Sequence, residues 1–320
     1  DKDENKINSL NRGIIPIYEP GLEEILKKNY KQKRLFFTTN LKKAVNNSDI
    51  IFICVGTPNK KNSNSANLKY VFNVANQIKK IITKYKIIVT KSTVPISTGD
   101  EIENILKDLK SKKLVDVVSN PEFLREGEAI RDFVYPDRVI IGTESKKANK
   151  ILKHLYMPIV KKNSRYFNTS RRGAELIKYA SNSFLATKIS FINEIANLCE
   201  KTGVDIKDVS LGMGSDQRIG DRFLRAGPAY GGSCFPKDTK GLVSAAEKHK
   251  TNLSIVKSVI NSNLKRVNLL TDRVHNILGK NLKNKKISIL GVTFKPNTDD
   301  MRDSTSLKMI PYYCKSGAKV

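Results

Sequence analysis

The first half of the chain alternates short, β-branched apolar runs with helical stretches, and this alternation is the strongest constraint on its fold. Four runs are nearly all apolar, which is typical of strands buried on both faces. Helical stretches lie between the runs, so the order strand, helix, strand, helix predicts a parallel, doubly wound α/β sheet. The predicted strands are DIIFICV at 49–55, KIIVTK at 86–91, VDVVS at 115–119 and RVIIG at 138–142, and the helical stretches include 20–29 and 68–83.

The pattern changes to long helices near residue 171. Residues 173–202 and about 253–278 carry apolar side chains at helical spacing without a break. A new alternation starts at Lys285 with KKISILGVTFKP, which predicts a buried strand, and GAKV at 317–320 predicts the start of another. Pro311 interrupts the helix expected between them. We therefore predict a doubly wound α/β domain at 1–171, a central helical domain at 172–278 and an incomplete second α/β unit at 279–320.

The beginning of the chain lacks one hallmark of a dinucleotide-binding sheet. Such a sheet places a G-x-G-x-x-G turn after its first strand and an acidic ribose ligand about 20 residues later. No such turn occurs in this sequence. Asp1 takes the position of the acidic residue, whereas Asp3 is better placed to cap the predicted helix at 4–11. We therefore expect about 25 to 30 further residues before residue 1 in the natural protein.

The net charge and the cysteine content indicate which classes of protein the chain can belong to. The chain has 58 Lys and Arg against 31 Asp and Glu, a net charge of +27 that invites a nucleic-acid interpretation. The lysines are scattered along solvent-facing positions without a recognition helix, so we predict no nucleic-acid partner. No apolar run is long enough for a membrane helix, and none forms a signal-peptide core. The four cysteines are far apart, which predicts no metal site, no disulfide framework and a cytoplasmic location.

Cys234 lies in GPAYGGSCFPKD, a glycine-rich loop in which backbone N–H groups can approach a reacting centre. A lone cysteine is most often a buried hydrophobe. Here Lys237 and Asp238 follow within four residues, offering a cation to favour the thiolate and a carboxylate to handle protons. The loop therefore indicates a nucleophilic cysteine.

Other polar residues lie where a ligand can be reached. Lys178 and Asn182 are spaced i, i+4 on the predicted long helix, a spacing that in isolation more often marks a solvated stripe. Three polar turns follow buried strands, and the carboxyl ends of the strands in a doubly wound sheet line the ligand crevice. Each turn alone is an ordinary strand terminator. Their convergence favours a binding site, and the turns are Gly56–Thr57–Pro58, Ser92–Thr93–Pro95 and Asn120–Pro121–Glu122.

With these residues in place, the sequence resembles the UDP-glucose/GDP-mannose dehydrogenase family, and most closely its bacterial members that act on UDP-glucose. The resemblance runs through nearly the whole chain in order, in CVGTP, TKSTVP, NPEFLREGEAIRDFVYPDRVIIG, ELIKYASNSFLATKISFINEIANLCE, DQRIGDRFLRAGPAYGGSCFPKDTKGL and LGVTFKPNTDDMRDS. It implies two Rossmann-like doubly wound domains, both incomplete in this sequence, joined by a central helical dimerisation and active-site domain. It also implies an NAD-dependent oxidation of UDP-glucose to UDP-glucuronate, by a homodimer or a higher oligomer.

The resemblance also implies a role for individual residues. Cys234 resembles the nucleophile, Thr93 and Asp238 the holders of a catalytic water, Lys178 and Asn182 the groups that stabilise oxyanions, and Glu122 a helper in thioester hydrolysis. Arg218 resembles a residue that reaches the sugar nucleotide across the dimer. For NAD the resemblance implies Asp1, Thr57, Thr93, Glu126, Lys237 and Arg302. For the substrate it implies Glu122, Phe123, Leu124, Arg125, Lys178, Asn182, Arg218, Phe223, Leu224, Arg225, Ala226, Gly227, Tyr230, Gly231 and Lys295.

Two alternatives stay open from the sequence. A different member of the family would oxidise GDP-mannose or a UDP-N-acetylamino sugar, although the run RFLRAGPAYGGSCFPKD favours UDP-glucose. A protein of another class would bind nucleotides or nucleic acid without catalysis, as the charge and the missing glycine turn suggest. Retention of the six catalytic candidates together argues against that class.

Overall fold

The computed structural model of the chain describes residues 1–60, 63–160 and 165–320. These residues form two compact units. The first comprises Asp1–Lys178 with Asn297–Asp299, and the second comprises Tyr179–Pro296 with Asp300–Val320. The domain boundaries at 171 and 278 stay a prediction.

The first unit contains a five-stranded sheet with the strand order β1-β2-β3-β4-β5. Alternate residues of the central strands enter two separate cores: Ile88 packs into one, and Ile87 and Val89 pack into the other. Each buried isoleucine or valine contributes about 1.5–3 kcal/mol of burial free energy, so the apolar runs are used on both faces. The strands are β1 (Ile50–Ile53), β2 (Lys86–Thr90), β3 (Val115–Ser119), β4 (Arg138–Gly142) and β5 (Arg165–Thr169).

The mainly parallel α/β sheet predicted from the sequence is confirmed, with two additions. The pairs β1–β2, β2–β3 and β4–β5 are parallel, whereas β4 runs antiparallel to β3, with Ser119 opposite Gly142. Apolar runs specify burial and carry no information about strand direction. The edge strand β5 was not predicted, because RYFNT is largely exposed and has no apolar run.

Helices surround this sheet in the order expected from the alternation. They begin with α1 (Glu4–Asn11), in which Asp3 caps the first turn by accepting a hydrogen bond from Lys6 N at 3.0 Å. The capping role considered for Asp3 is thereby confirmed. The others are α2 (Leu22–Lys31), α3 (Leu41–Asn46), α4 (Lys69–Lys79), α5 (Thr98–Ile105), α6 (Lys107–Ser111), α7 (Ala129–Val134) and α8 (Lys146–Tyr156).

The long helix α9 (Arg171–Thr202) passes from the first unit into the second, where the remaining helices follow. It and α12 match the two long helices predicted from helical periodicity to within two residues. Pro311 lies inside α13, which continues past it. The helices after α9 are α10 (Ile206–Gly214), α11 (Phe235–Lys248), α12 (Ser254–Leu278) and α13 (Ser306–Lys315).

The buried strand predicted from Lys285 onward is wrong for this structure. In the described part of the second unit, this segment makes one isolated parallel bridge, between Lys286 and Lys319. Leu290 is 96% exposed. An apolar run becomes a buried strand only where neighbouring strands and helices cover it, and a single bridge supplies no such cover.

Candidate functional site

The turns that follow β1 and β2 are tied together at the carboxyl edge of the sheet. The Thr57 hydroxyl donates to the carbonyl of Thr93 at 2.7 Å. The Ser92 hydroxyl donates to the carbonyl of Val55 at 2.7 Å. Lys91 at the end of β2 donates to Asn120 Oδ1, in the turn after β3, at 3.2 Å. The three polar turns therefore meet at one edge, as the sequence predicted.

Lys178 is buried and held by the turn after β3. Its Nζ donates to the Glu122 carbonyl at 2.6 Å and to Glu122 Oε1 at 2.9 Å. The other oxygen, Glu122 Oε2, accepts from Leu124 N at 2.6 Å. Nζ also lies 5.3 Å from the centre of the Phe123 ring. An ammonium group has three donors, so one is left for a ligand beyond the two that Glu122 accepts.

Glu175, one turn before Lys178 on α9, anchors that helix to the sheet edge. Its Oε1 accepts from Gly99 N and from the Ser119 hydroxyl, both at 2.8 Å, and its Oε2 accepts from Ser97 N at 2.7 Å. Burial raises the pKa of this carboxyl to about 7. A Cβ on Gly99 would lie 2.9 Å from Glu175 Oε1, so a larger residue there would displace this carboxylate. The anchor fixes the position of Lys178.

Lys91 is a charged group at this edge that the sequence analysis did not single out. Burial lowers the pKa of its ammonium group to about 8, while the nearby Glu122 carboxylate opposes this change. Its neighbours are Asn120 and the hydroxyl of Tyr156 at 3.5 Å. The sequence signal for the burial of Lys91 was its position directly after a strand whose residues are all buried. A side chain that begins at the end of such a strand lies close to the core.

In the second unit, Cys234 stands at the start of α11 and is half-buried. Pro236 in the first turn is suited to a helix start, because its missing N–H has no helical acceptor there. The Ser233 hydroxyl lies 3.5 Å from Cys234 Sγ. A helix N-terminus favours negative charge, so this position favours the thiolate over the thiol.

Asp238 is fully buried one turn further along α11. Its Oδ2 accepts from Asn182 Nδ2 at 2.6 Å and its Oδ1 accepts from Lys237 Nζ at 2.7 Å. Lys237, which the sequence analysis offered as the cation for Cys234, is thus ion-paired with Asp238. A Cβ on Gly241 would lie 2.8 Å from the Tyr179 ring, so glycine lets α11 approach α9 closely enough for the Asn182–Asp238 hydrogen bond.

The loop before Cys234 packs against the segment 294–303. Gly232 N donates to the carbonyl of Arg302 at 2.8 Å. A Cβ on Gly231 would lie 2.4 Å from the carbonyl oxygen of Asp303, and one on Gly232 would lie 2.7 Å from the Phe294 ring. The two glycines therefore permit a contact that any side chain would prevent.

Several predicted ligand contacts have protein partners in the structure. Arg125 forms a two-pronged ion pair with Asp132, at 2.7 and 2.9 Å. Arg218 is exposed and pairs with Asp216 at 2.6 Å. Arg302 pairs with Asp300 at 2.8 Å.

The other predicted ligand residues fall into three environments. Asp1 is exposed and lies 3.3 Å from Lys6. Leu224, Tyr230 and Gly231 are buried, and Phe223 adopts a positive φ of 66°. The roles assigned to all these residues stay predictions. The half-buried or exposed remainder comprises Phe123, Leu124, Glu126, Arg225, Ala226, Gly227 and Lys295.

In 1–60, 63–160 and 165–320 there is no group of three or more His, Cys, Asp or Glu side chains arranged to hold a metal ion. Within the same ranges, no helix combines the length and apolar character needed to cross a membrane.

Comparison with known proteins gives consistent matches. Residues 1–160 match the NAD binding domain, and residues 172–265 the central domain, of the UDP-glucose/GDP-mannose dehydrogenase family. The chain is 48% identical to a UDP-glucose 6-dehydrogenase of Rhizobium meliloti, over 100% of its own length and 74% of the relative's. It is also 48% identical to one from Rickettsia felis, over 97% of this chain and 68% of that one.

Solved structures agree with these matches. A UDP-glucose dehydrogenase from Pyrobaculum islandicum superposes with a TM-score of 0.93 at 37% identity, covering 99% of this chain and 73% of that one. A GDP-mannose dehydrogenase from Pseudomonas aeruginosa superposes with a TM-score of 0.66 at 33% identity, covering 99% of this chain and 73% of that one.

Proposed function

Because the chain belongs to the UDP-glucose/GDP-mannose dehydrogenase family, we propose that it is an NAD-dependent oxidoreductase that converts UDP-glucose to UDP-glucuronate. The observation that carries this proposal is Cys234 at the start of α11, one turn before a buried Asp238 that is bonded to Asn182. A cysteine is needed where an aldehyde must be carried to the acid oxidation level without leaving the enzyme.

The residues assigned to NAD have chemistry that fits it. The exposed carboxylate of Asp1 is a suitable acceptor for ribose hydroxyls. Thr57 and Thr93 lie at the carboxyl edge of the parallel strands, where doubly wound sheets bind dinucleotides. Lys237 and Arg302 are cations that can form charge-assisted hydrogen bonds with a pyrophosphate. NAD, when bound, accepts one hydride in each of the two oxidation steps.

The chain's own residues handle the remaining steps. Loss of a hydride and a proton turns the C6 alcohol into an aldehyde, and the Cys234 thiolate adds to its carbonyl carbon to form a thiohemiacetal. The oxygen of that adduct carries developing negative charge. We assign its stabilisation to the Lys178 ammonium and the Asn182 amide, which are spaced four residues apart on α9.

Loss of a second hydride converts the adduct into a thioester, which water then cleaves. Water adds to the thioester carbonyl, the carbon–sulfur bond breaks, and Cys234 leaves as a thiolate while the product leaves as a carboxylate. The resemblance assigns this water to Thr93 and Asp238, with Glu122 as a helper. Two protons are released when water becomes part of the carboxylate and Cys234 leaves as a thiolate, and Asp238 and Glu122 are carboxylates that can take them.

The defining experiment measures NADH produced per UDP-glucose by the full-length protein. We expect two NADH for each sugar consumed, because oxidation of an alcohol to a carboxylate removes four electrons. GDP-mannose and UDP-N-acetylmannosamine serve as rival substrates. If the protein oxidises only one of these rival substrates, its activity is that of the corresponding related dehydrogenase. No turnover with any nucleotide sugar would favour a protein that binds nucleotides without catalysis.

A homodimer is part of the proposal, and an exposed apolar stripe on α9 supports it. Phe184, Phe191 and Leu198 recur every seven residues along the helix and are 67%, 47% and 59% exposed. Residues at this spacing share one helix face, and exposed apolar patches mark interaction surfaces. A two-fold interface brings the same stripe of two copies together. A second copy of the chain therefore suits this surface.

Phe191→Glu is expected to convert the dimer to monomers, because each interface would bury a pair of charges without partners. Light scattering coupled to gel filtration measures the molar mass. Phe167→Glu on β5, where Phe167 is similarly exposed, is the matched control and should leave the mass unchanged. A dimer that survives Phe191→Glu would place the interface elsewhere.

The location in the cytoplasm stays a prediction. None of the four cysteines is in a disulfide bond in the described part of the chain, which is typical of a reducing compartment.

A further inference from the structure

The short segment from Gly227 to Tyr230 is held by side chains from two helices of the second unit. Gly227 N donates to Asn193 Oδ1 at 2.8 Å, and the Gly227 carbonyl accepts from Arg266 Nε at 3.1 Å. Tyr230 N donates to Asn263 Oδ1 at 2.8 Å, and the Tyr230 carbonyl accepts from Asn263 Nδ2 at 3.0 Å. Both polar backbone groups at each end of the segment are therefore bonded to a side chain.

Arg266 on α12 is an unusual residue for this task. It is only 6% exposed, and the Glu200 carboxylate that acts on its charge is itself ion-paired with Arg273 at 2.6 Å. Its Nη1 donates to the Asn193 carbonyl at 2.9 Å and to Asn197 Oδ1, so all of its protein partners are neutral oxygens. A buried charge without an ion-pair partner of its own is costly. The hydrogen bonds that tie Gly227 to α9 and α12 are the favourable interactions that offset this cost.

We propose that Asn193, Asn263 and Arg266 form a positioning clamp that presets the segment 227–230 for the sugar nucleotide. The proposal rests on the proposed function, in which Gly227 and Tyr230 contact the substrate. Gly227, Pro228 and Ala229 have small side chains or none, so they supply little packing to hold this end of the segment in one conformation. Fixing a binding loop before the ligand arrives removes an ordering cost from binding, so the clamp strengthens substrate affinity without touching the substrate.

The two ends of the clamp are expected to act mainly on substrate binding. Tyr230 itself is buried and packs with Ala186, Val259 and Phe235, so the end of the segment nearer Cys234 has apolar support as well. The Asn182–Asp238 hydrogen bond is made by other residues of α9 and α11. Loosening Gly227 should therefore disturb recognition of the sugar nucleotide more than the chemical steps.

Arg266→Ala in the full-length protein tests the clamp. We expect the KM for UDP-glucose to rise about tenfold to a hundredfold, the kcat to fall less than about threefold, and the KM for NAD to stay within about twofold. Hydrogen exchange should become faster at the backbone amides of 227–230 without substrate. Arg273→Ala is the matched control, because Arg273 bonds to the same Asn197 Oδ1 at 3.0 Å but does not bond to the loop.

Chemical rescue separates positioning from a general loss of stability. An open groove of about 420 Å³, lined by Asn193, Asn197 and Arg266, gives a small cation access to this site. Guanidinium chloride at millimolar concentration should lower the KM of Arg266→Ala severalfold, and sodium chloride should not. The unmodified protein and Arg273→Ala should show no such recovery.

If Arg266→Ala fails to fold, Asn263→Ala decides the question, because it removes both bonds to Tyr230. Unchanged KM for UDP-glucose and unchanged amide exchange in a folded clamp variant would overturn the proposal. An equal rise in the KM values for UDP-glucose and NAD would also overturn it, since that result indicates a general structural role. Failure of the unmodified protein to oxidise UDP-glucose would instead overturn the proposed function, and the clamp's role in substrate binding with it.

Discussion

Cys234→Ser is expected to abolish formation of the sugar acid, with a fall in turnover of about a thousandfold or more. A serine hydroxyl at this position has no appreciable anion at neutral pH, whereas the start of α11 favours the cysteine thiolate. Without the thiolate the aldehyde is not trapped, so the second oxidation lacks its covalent intermediate. NADH release and UDP-glucuronate formation are the measurements.

Cys314→Ser is the matched control for this experiment. Cys314 is an exposed free thiol on α13 and has no role in the proposed chemistry. Its replacement should leave turnover within about twofold, because surface substitutions of this kind have small effects. Retention of a tenth or more of the activity by Cys234→Ser would contradict the nucleophilic role and require a route through a free aldehyde hydrate.

Gly231→Ala is expected to destabilise the protein by about 2–4 kcal/mol and to remove most of its activity. The added Cβ would lie 2.4 Å from the carbonyl oxygen of Asp303 and 3.0 Å from its carbonyl carbon. Both are backbone atoms, so no side-chain rotation relieves the clash and one segment has to move. Gly231 lies three residues before Cys234, so this backbone movement is expected to displace the nucleophile as well.

Gly227→Ala is the matched control for stability, because a Cβ there has nothing within 4 Å and the backbone does not need a positive φ. Urea unfolding followed by circular dichroism measures both variants. The control should change the free energy of unfolding by less than about 0.5 kcal/mol. Equal stabilities for the two variants would show that segment 294–303 does not pack on Gly231 in solution.

Some elements of the fold could be predicted from the sequence, and others could not. The strands β1 to β4 and the helices α9 and α12 were found within about two residues, because burial on two faces or one face imposes a periodicity on local residues. The run from Lys285 shows the limit of this argument. It has the same apolar character as β2, yet Leu290 is 96% exposed, since burial requires neighbours that the run itself does not supply.

The candidate site shows the same division. The Cys234 loop and the polar turns after the strands could be located from the sequence, because glycine, proline and small polar residues have strong local meaning. The burial of Lys91, which lowers its pKa to about 8, had only a weak local signal. The clamp of Asn193, Asn263 and Arg266 had none, since its residues lie on two helices and meet a loop 33 or more residues away in the chain.

By itself, the sequence determined the α/β class, the long helices and the family resemblance, and it predicted Cys234 as the nucleophile, because periodicity and compact motifs are local properties. Only the tertiary structure decided the direction of β4, the pairing of Lys178 with Glu122, and the seating of Asn182 and Lys237 on Asp238. The Lys178–Glu122 and Asn182–Asp238 pairs join residues 56 positions apart. Their hydrogen bonds exist because packing removes both groups from water, and an unpaired polar group there would be costly.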